Sequence, residues 1–385
     1  MSHRVLDLAP GERLPVVSVG AGGMGRAWLE VLEASPDAEL VGLVDLDLDA
    51  ARRAAADLGR PDLPLGRDAV ELARATGARA VVDVTVPAAH HPVTTAALAA
   101  GLPVLGEKPA AATLAQALSL VAAAEVTGEL FMVSQSRRWN PQVSLLRDAV
   151  ALLGGAGTLT TEFFRAPRFG GFREEMEHPL LVDMAIHAFD TARHVLGDEP
   201  AAVWCTTSNP PWSWYRGDAS AAAVVITGGG ARYSYTGSWC APGEETSWNG
   251  RWTASCAHGS VRWDGDDEPV VAVAEDAPAE VRAGVDALLA GPRSPFDGIA
   301  GALAVFCAAL RTGGSPSGEV HENAMSLAVV EAAVASAGSG QVVDLDELLE
   351  GARAEAVAAE RDERVRERLR AWPGVRAALA APAPA

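Results

Sequence analysis

The stretch PVVSVGAGGMG, residues 15–25, constrains the fold of this chain more than any other. A compact β-branched run, Pro15–Gly20, ends in glycine, and a helical pattern over Met24–Leu32 follows at once. Gly20, Gly22 and Gly25 fit G-x-G-x-x-G. The pattern alone is weak, but between a strand and a helix it marks a dinucleotide-binding βαβ unit. Gly20 permits the tight turn, Gly22 lets the main chain approach a pyrophosphate, and Gly25 lets helix and strand pack closely. The helix start adds amide donors and partial positive charge. Met24, inside the turn, joins the candidate cofactor contacts.

The alternation continues downstream. Glu39–Asp45, Ala80–Val86, Pro103–Gly106 and Leu130–Gln135 read as strands, and Asp49–Leu58, Asp68–Ala75, Pro92–Ala100 and Leu114–Val126 as helices. Strands alternating with helices of this length imply a parallel sheet with the loops at its C-terminal edge gathered together. Asp45 lies 20 residues past Gly25, at the end of the second strand. A carboxylate there accepts hydrogen bonds from the ribose hydroxyls and repels a 2′-phosphate, which favours NAD over NADP. Arg52 and Arg53 lie near enough in sequence to keep NADP as the lesser alternative.

After about residue 150 the texture changes. Thr158–Phe164, Ala201–Thr207, Ala222–Thr227, Ala231–Ser238 and Arg251–Cys256 read as strands with turn signals rather than helices between them. A second, largely antiparallel domain follows from this pattern. From Ala279 the pattern is helical apart from a short strand around Val342–Leu345, and Glu347–Leu379 is a charged helical stretch. The closing APAPA is expected to fray. The expected division is a dinucleotide-binding domain over 1–138, an α/β domain over 139–345, and a charged helical tail over 346–385.

The balance of charge narrows the partners. Lys and Arg total 31 against 50 Asp and Glu, a formal charge of −19. So acidic a surface repels phosphate backbones and argues against nucleic acid. The four cysteines lack any CxxC pairing, which argues against a zinc ribbon or a disulfide framework and for a reducing, cytoplasmic compartment. No metal site is expected. The N-terminal residues have no apolar run of signal-peptide length, and no segment reads as a membrane span.

Of the 31 basic residues, 30 are Arg and one is Lys108. It stands in Gly106-Glu107-Lys108-Pro109, directly after a strand and at the cofactor edge. A lysine there can donate to a substrate oxygen and stabilise a developing alkoxide. Arg is bulkier, and burial does not tune its charge in the same way. Asp183 and His187 stand four apart, on one face of an expected helix. Alone, that pair is as well explained by a helix surface. With Lys108 and the glycine turn, it reads as a general base with a carboxylate that orients it. His90 can contact cofactor or substrate, or merely start a helix. Arg138, in SRRWN (136–140), is either a substrate contact or a domain-interface ion pair. The tryptophan-rich loops 210–215 and 246–252 can stack on a sugar face, or pack a sheet or subunit interface.

Together VVSVGAGGMG (16–25), the Asp45 strand end, Thr85 through Lys108-Pro109, SRRWNP (136–141), LVDMAIHAFD (181–190) and residues 322–343 resemble the Gfo/Idh/MocA family of NAD(P)-dependent sugar and cyclitol dehydrogenases. The resemblance implies a Rossmann domain joined to an α/β domain with a large, mostly antiparallel open sheet, assembled as a homo-dimer or homo-tetramer. It assigns catalysis to Lys108, Asp183 and His187, and the cofactor side to Thr85, Val86, Pro87, His90, Glu107 and Lys108. Arg138 joins Lys108, Asp183 and His187 as a substrate contact. Val86 stands where the family often has proline, and Ala185 where it often has glycine. The expected activity is reversible oxidation of a secondary alcohol on a sugar or polyol. Two alternatives stay open: glycoside cleavage through transient oxidation by a tightly held NAD, and non-catalytic sensing of NAD or a sugar.

Overall fold

Short runs rich in Val, Leu and Ala that bury both faces suit a parallel sheet covered by helices. Six of them form one in the computed structural model, which describes residues 3–9 and 11–380. The strands are β1 (Leu14–Val19), β2 (Ala38–Val44), β3 (Leu65–Gly66), β4 (Ala80–Asp83), β5 (Val104–Glu107) and β6 (Phe131–Ser134). Their order is β3-β2-β1-β4-β5-β6, and every pair is parallel. The crossovers are α1 (Gly23–Ala34), α2 (Leu48–Asp57), α3 (Ala69–Thr76), α4 (Pro87–Ala99) and α5 (Leu114–Thr127). The strand order reverses between β1 and β4, which opens a crevice beside their C-terminal ends.

Helix α4 starts at Pro87, not at Pro92 as expected. Pro87 occupies a first-turn position, where a missing N–H is no loss. Pro92 lies inside the helix and does not begin it.

The second sheet has eight strands: β7 (Ala156–Phe164), β8 (Pro200–Ser208), β9 (Ser220–Thr227), β10 (Arg232–Ser238), β11 (Arg251–Cys256), β12 (Gly259–Trp263), β13 (Val270–Val273) and β14 (Val343–Asp344). Their order is β13-β12-β11-β7-β10-β9-β8-β14, with β7 and β10 parallel and the other pairs antiparallel. Alternation along β9 shows the two faces: Ala221, Ala223, Val225 and Thr227 are buried, while Ser220, Ala222, Val224 and Ile226 are half-exposed. Three helices accompany this sheet: α6 (Pro141–Leu152), α7 (Ile186–Leu196) and α8 (Ala279–Ala290). Sequence reading gave neither α6 nor the β12–β13 pair.

The chain divides into two units, but not linearly. One comprises the chain up to Ser136, Gly298–Ala324 and everything from Leu349 onward; the other comprises Arg137–Asp297 and Met325–Leu348. The first division falls between Ser136 and Arg137, where 138/139 was expected, and the expected 139–345 domain and 346–385 tail are each shared out between the two units. Helix α9 (Gly298–Thr312) folds with the first unit, against α1 and β6. Helices α10 (Val320–Ser339) and α11 (Leu345–Ala359) contribute to both units.

The last helices, α12 (Glu363–Ala371) and α13 (Val375–Ala380), also belong to the first unit. The reason lies in α5, which is buried continuously from Ala117 to Ala124 and needs cover on the side away from the sheet. Helix α12 packs there. Arg368 donates twice to the Glu125 carboxylate, at 2.8 and 2.9 Å, and the Trp372 indole donates to it at 2.8 Å. The APAPA segment lies outside the described residues.

Candidate active site

The residues expected to hold the cofactor lie in the first unit. Gly20 has φ +106°, and a Cβ there would lie 2.5 Å from the Val84 carbonyl oxygen. A Cβ on Gly25 would lie 2.1 Å from the Gly20 oxygen. These two glycines are thus required by the turn itself. At Gly22 nothing lies within 4 Å of a Cβ, so the loop leaves open the space a pyrophosphate needs. Met24 is exposed beside it.

Helix capping tells the same story. Helices α2, α3 and α5 start on Asp47, Asp68 and Thr113, whose side chains accept their first amides. The two helices at the switch point, α1 and α4, start on Gly22 and Val86 with no side-chain cap. Their amides and positive dipole ends suit an anionic cofactor. The residues present therefore fit a dinucleotide.

Asp45 Oδ2 accepts the Ala21 N–H at 2.8 Å, and its Oδ1 accepts the Asp47 N–H at 2.8 Å. Each oxygen can accept again, which leaves capacity for ribose hydroxyls. Arg52 pairs with Asp49, and Arg53 lies 4.0 Å from Asp47.

On the other side of the switch point, Asp83 organises the Thr85–Val86–Pro87 loop. Its carboxylate accepts from the Thr85 N–H at 3.1 Å, the Thr85 hydroxyl at 2.6 Å and the Thr94 hydroxyl at 3.0 Å. Burial raises its pKa, against the His90 charge and the threonine donors. Sequence reading missed Asp83; an acid closing the apolar run AVVD was the available signal. Val86 is exposed at the helix start, and Pro87 occupies the first turn.

Two residues expected on the cofactor side are buried. His90 is 2% exposed, with Nδ1 2.7 Å from the Pro109 carbonyl oxygen and Nε2 2.9 Å from that of Thr85. Both ring nitrogens are committed to main chain, so His90 straps the Thr85 loop to the Lys108-Pro109 segment. Glu107 is also buried: Oε1 accepts from the Trp28 indole at 2.8 Å and Oε2 from the Lys108 N–H at 3.2 Å. Burial pushes its pKa up. Both residues brace the main chain around the half-buried Lys108. The Lys108-Pro109 peptide is cis.

The second unit carries the acid and the imidazole. Leu180–Ala185 is wound as a π-helix that runs into α7, so the expected plain helix is corrected to a wider turn. Such turns are rare and concentrate at functional sites. Leu180, Leu181, Met184, Ala185 and Ile186 are buried, while Asp183 and His187 stay half-exposed. Asp183 Oδ2 accepts from Arg173 Nε at 2.6 Å. Arg173 was not foreseen, since ten residues of irregular chain hide the relationship.

Arg138 is not a surface contact. Its guanidinium, 1% exposed, grips Asp190 through two hydrogen bonds of 2.7 Å, within the second unit. The Arg193 charge and the Ser326 hydroxyl also face that carboxylate. The substrate-contact reading is corrected to a buried ion pair. Trp252 and Trp239 pack inside the unit, whereas Trp212 and Trp248 stay exposed. Among the described residues no cluster of His, Cys, Asp and Glu could hold a metal, and no helix is long and apolar enough to cross a membrane.

A six-stranded parallel sheet with an open glycine turn and an acid after its second strand, followed by a mixed sheet and a helix that carry a carboxylate and an imidazole, is the architecture of dinucleotide-dependent oxidoreductases. The chain belongs to the Gfo/Idh/MocA family: the family's NAD-binding Rossmann fold matches residues 14–135 and its C-terminal domain residues 158–262. It is 29% identical over 366 residues to an uncharacterized protein, y4oX, of Sinorhizobium fredii, covering 88% of this chain and 97% of that one. It is 33% identical over 194 residues to inositol 2-dehydrogenase 4 of Saccharopolyspora erythraea, covering 49% of this chain and 56% of that enzyme. A crystal structure of an oxidoreductase from Agrobacterium radiobacter with NAD+, L-tartaric acid and magnesium superposes with a TM-score of 0.74. It is 20% identical and covers 87% of this chain and 99% of that one.

Proposed function

We propose that this protein reversibly oxidises a secondary alcohol of a sugar, cyclitol or related polyol, with NAD preferred over NADP. The observation that carries the reading is Lys108, held at the end of β5 by Glu107 and His90, in a chain that also sets Asp183 on a π turn and His187 in the first turn of α7 that follows it. Similarity to an inositol 2-dehydrogenase supports the polyol class.

The division of labour follows from the side chains. Lys108 donates to the reacting oxygen and steadies it as negative charge develops. His187 takes the hydroxyl proton on its ring nitrogen. Asp183 carries the charge that orients the substrate and the imidazole. The open turn at Gly22, the uncapped starts of α1 and α4, and Asp45 hold and orient the dinucleotide. The nicotinamide, when bound, supplies the hydride acceptor. Homo-dimeric or homo-tetrameric assembly and a reducing cytoplasmic location belong to the same reading; the four cysteines are free.

The test is NAD with a panel of inositols, aldoses and amino sugars, read as NADH absorbance. Formation of NADH with one class supports the reading. Bound NAD with no NADH from any member of the panel counts against it.

A further inference from the structure

The loop between β7 and the π turn carries three arginines over aromatic rings: Arg165, which is paired with Glu245, Arg168, and Arg173, which bonds the proposed catalytic carboxylate. The Arg168 guanidinium lies 3.9 Å from the centroid of the Trp214 ring. It is exposed, and no carboxylate pairs with it among the described residues. Arg173 stacks over Phe169 and Phe172, at 5.4 and 4.8 Å, while its Nε donates to Asp183. Among the described residues only that one nitrogen of Arg173 is engaged, so its two terminal nitrogens keep their donors.

Tyr215 and its neighbour tie Arg168 and Arg173 to one locality. The Tyr215 hydroxyl donates to the Pro167 carbonyl, next to Arg168, at 3.1 Å. The next residue, Arg216, donates to the Glu174 and Glu175 carbonyls, both at 2.9 Å, directly after Arg173. Of the three acids of this loop, Glu174 accepts the Gly170 N–H at 3.1 Å and Glu175 lies 3.7 Å from Arg216; none of the three, Glu177 included, forms an ion pair with Arg168 or Arg173 among the described residues. Phe169 and Phe172, 53% and 51% exposed, frame the cations rather than fill a core.

Guanidinium groups fixed on aromatic faces, with donors unspent, recognise planar or tetrahedral oxyanions. In a chain of formal charge −19, placing such groups beside the catalytic acid opposes the general repulsion of anions. We propose that the substrate is an anionic polyol, bearing a carboxylate or phosphate that Arg168 and the outer edge of Arg173 receive while its alcohol meets the catalytic groups. This rests on the oxidoreductase reading above and names its substrate class.

The test compares the NAD-loaded enzyme on glucose, gluconate, glucuronate and glucose 6-phosphate, with Arg168→Met and Arg168→Lys beside the unmodified chain. An anionic member should exceed the neutral sugar in kcat/KM by about tenfold or more. Arg168→Met should erase most of that ratio through KM, and Arg168→Lys should restore part of it. The carboxylate and phosphate arms separate the two sources of charge. A preference for the neutral sugar, or a ratio unmoved by Arg168→Met, overturns the proposal. If no sugar is turned over, the oxidoreductase reading fails, and calorimetric titration with gluconate and with inorganic phosphate decides this one. Binding lost in Arg168→Met supports it, and no binding by the unmodified enzyme overturns it.

Discussion

The Asp45 carboxylate accepts the Ala21 N–H at 2.8 Å, so the acid that ends β2 also fixes the glycine turn. In the proposed function, where Asp45 also meets the ribose, cofactor choice and loop shape are therefore coupled. Asp45→Ala should raise the NAD Kd about 10–100-fold, since it removes both the ribose acceptor and the loop tether. Asp45→Asn keeps an acceptor for Ala21 but loses the charge that repels a 2′-phosphate. It should narrow the preference for NAD over NADP by about tenfold, read by calorimetry with each dinucleotide. An unchanged preference in Asp45→Asn would remove the charge argument.

Lys108→Met should lower kcat by about 100–1,000-fold, the loss typical of one donor to a developing oxyanion. Its main chain is braced by Glu107 and His90. NAD affinity and melting temperature should therefore change little. Turnover near that of the unmodified enzyme would discard the role assigned to the lysine.

The first sheet was legible because glycine spacing and strand–helix alternation are local signals, and the expected strands at Pro15–Gly20 and Glu39–Asp45 match β1 and β2 closely. What the sequence hid are relationships made by tertiary packing. His90 beside a helix start reads as a ligand or as a helix cap; its contacts with the carbonyls of Thr85 and Pro109, one of them 19 residues away, leave no trace in the sequence. Arg138 and Asp190 are 52 residues apart, with no pattern that pairs them. The tail reads as a solvated charged helix because Arg368 spends its charge on Glu125, 243 residues earlier. The π turn is invisible because LVDMA carries no residue that demands an i→i+5 bond.

Arg138→Met should be a stability variant rather than a substrate-affinity variant. It strands the buried Asp190 carboxylate, whose pKa burial would raise but Arg138 and Arg193 hold low. Loss of one partner of a buried pair costs about 3–5 kcal/mol. Denaturant unfolding should show that loss, with the KM of the folded enzyme within a few-fold of the unmodified value. A large KM effect at full stability would return Arg138 to the substrate site.

The Glu125–His321 contact makes the first unit sensitive to alkali. His321 lies 3.5 Å from Glu125 through Nε2 and 2.8 Å from Glu319 through Nδ1, with Arg368 and Trp372 on the far side of Glu125. Burial alone would lower the His321 pKa, but Glu125 and Glu319 outweigh it and hold the ring at about 9, against an ordinary 6.5. Burial alone would raise Glu125, but His321, Arg368 and Trp372 outweigh it and hold that carboxyl at about 2, against 4.5. A raised histidine contributes fully below its unfolded pKa and loses that contribution as pH climbs through the folded one. Stability from His321 is thus complete below 6.5 and lost through about 9. The Glu125 contribution is complete above 4.5 and lost only as pH falls through about 2. The same ion pair lies behind part of both shifts, so its energy counts once. Denaturant unfolding should show a fall on the order of 3 kcal/mol between about pH 6 and pH 9.5, and His321→Gln should flatten that slope. Parallel profiles for the two proteins would show that another group sets the alkaline limit.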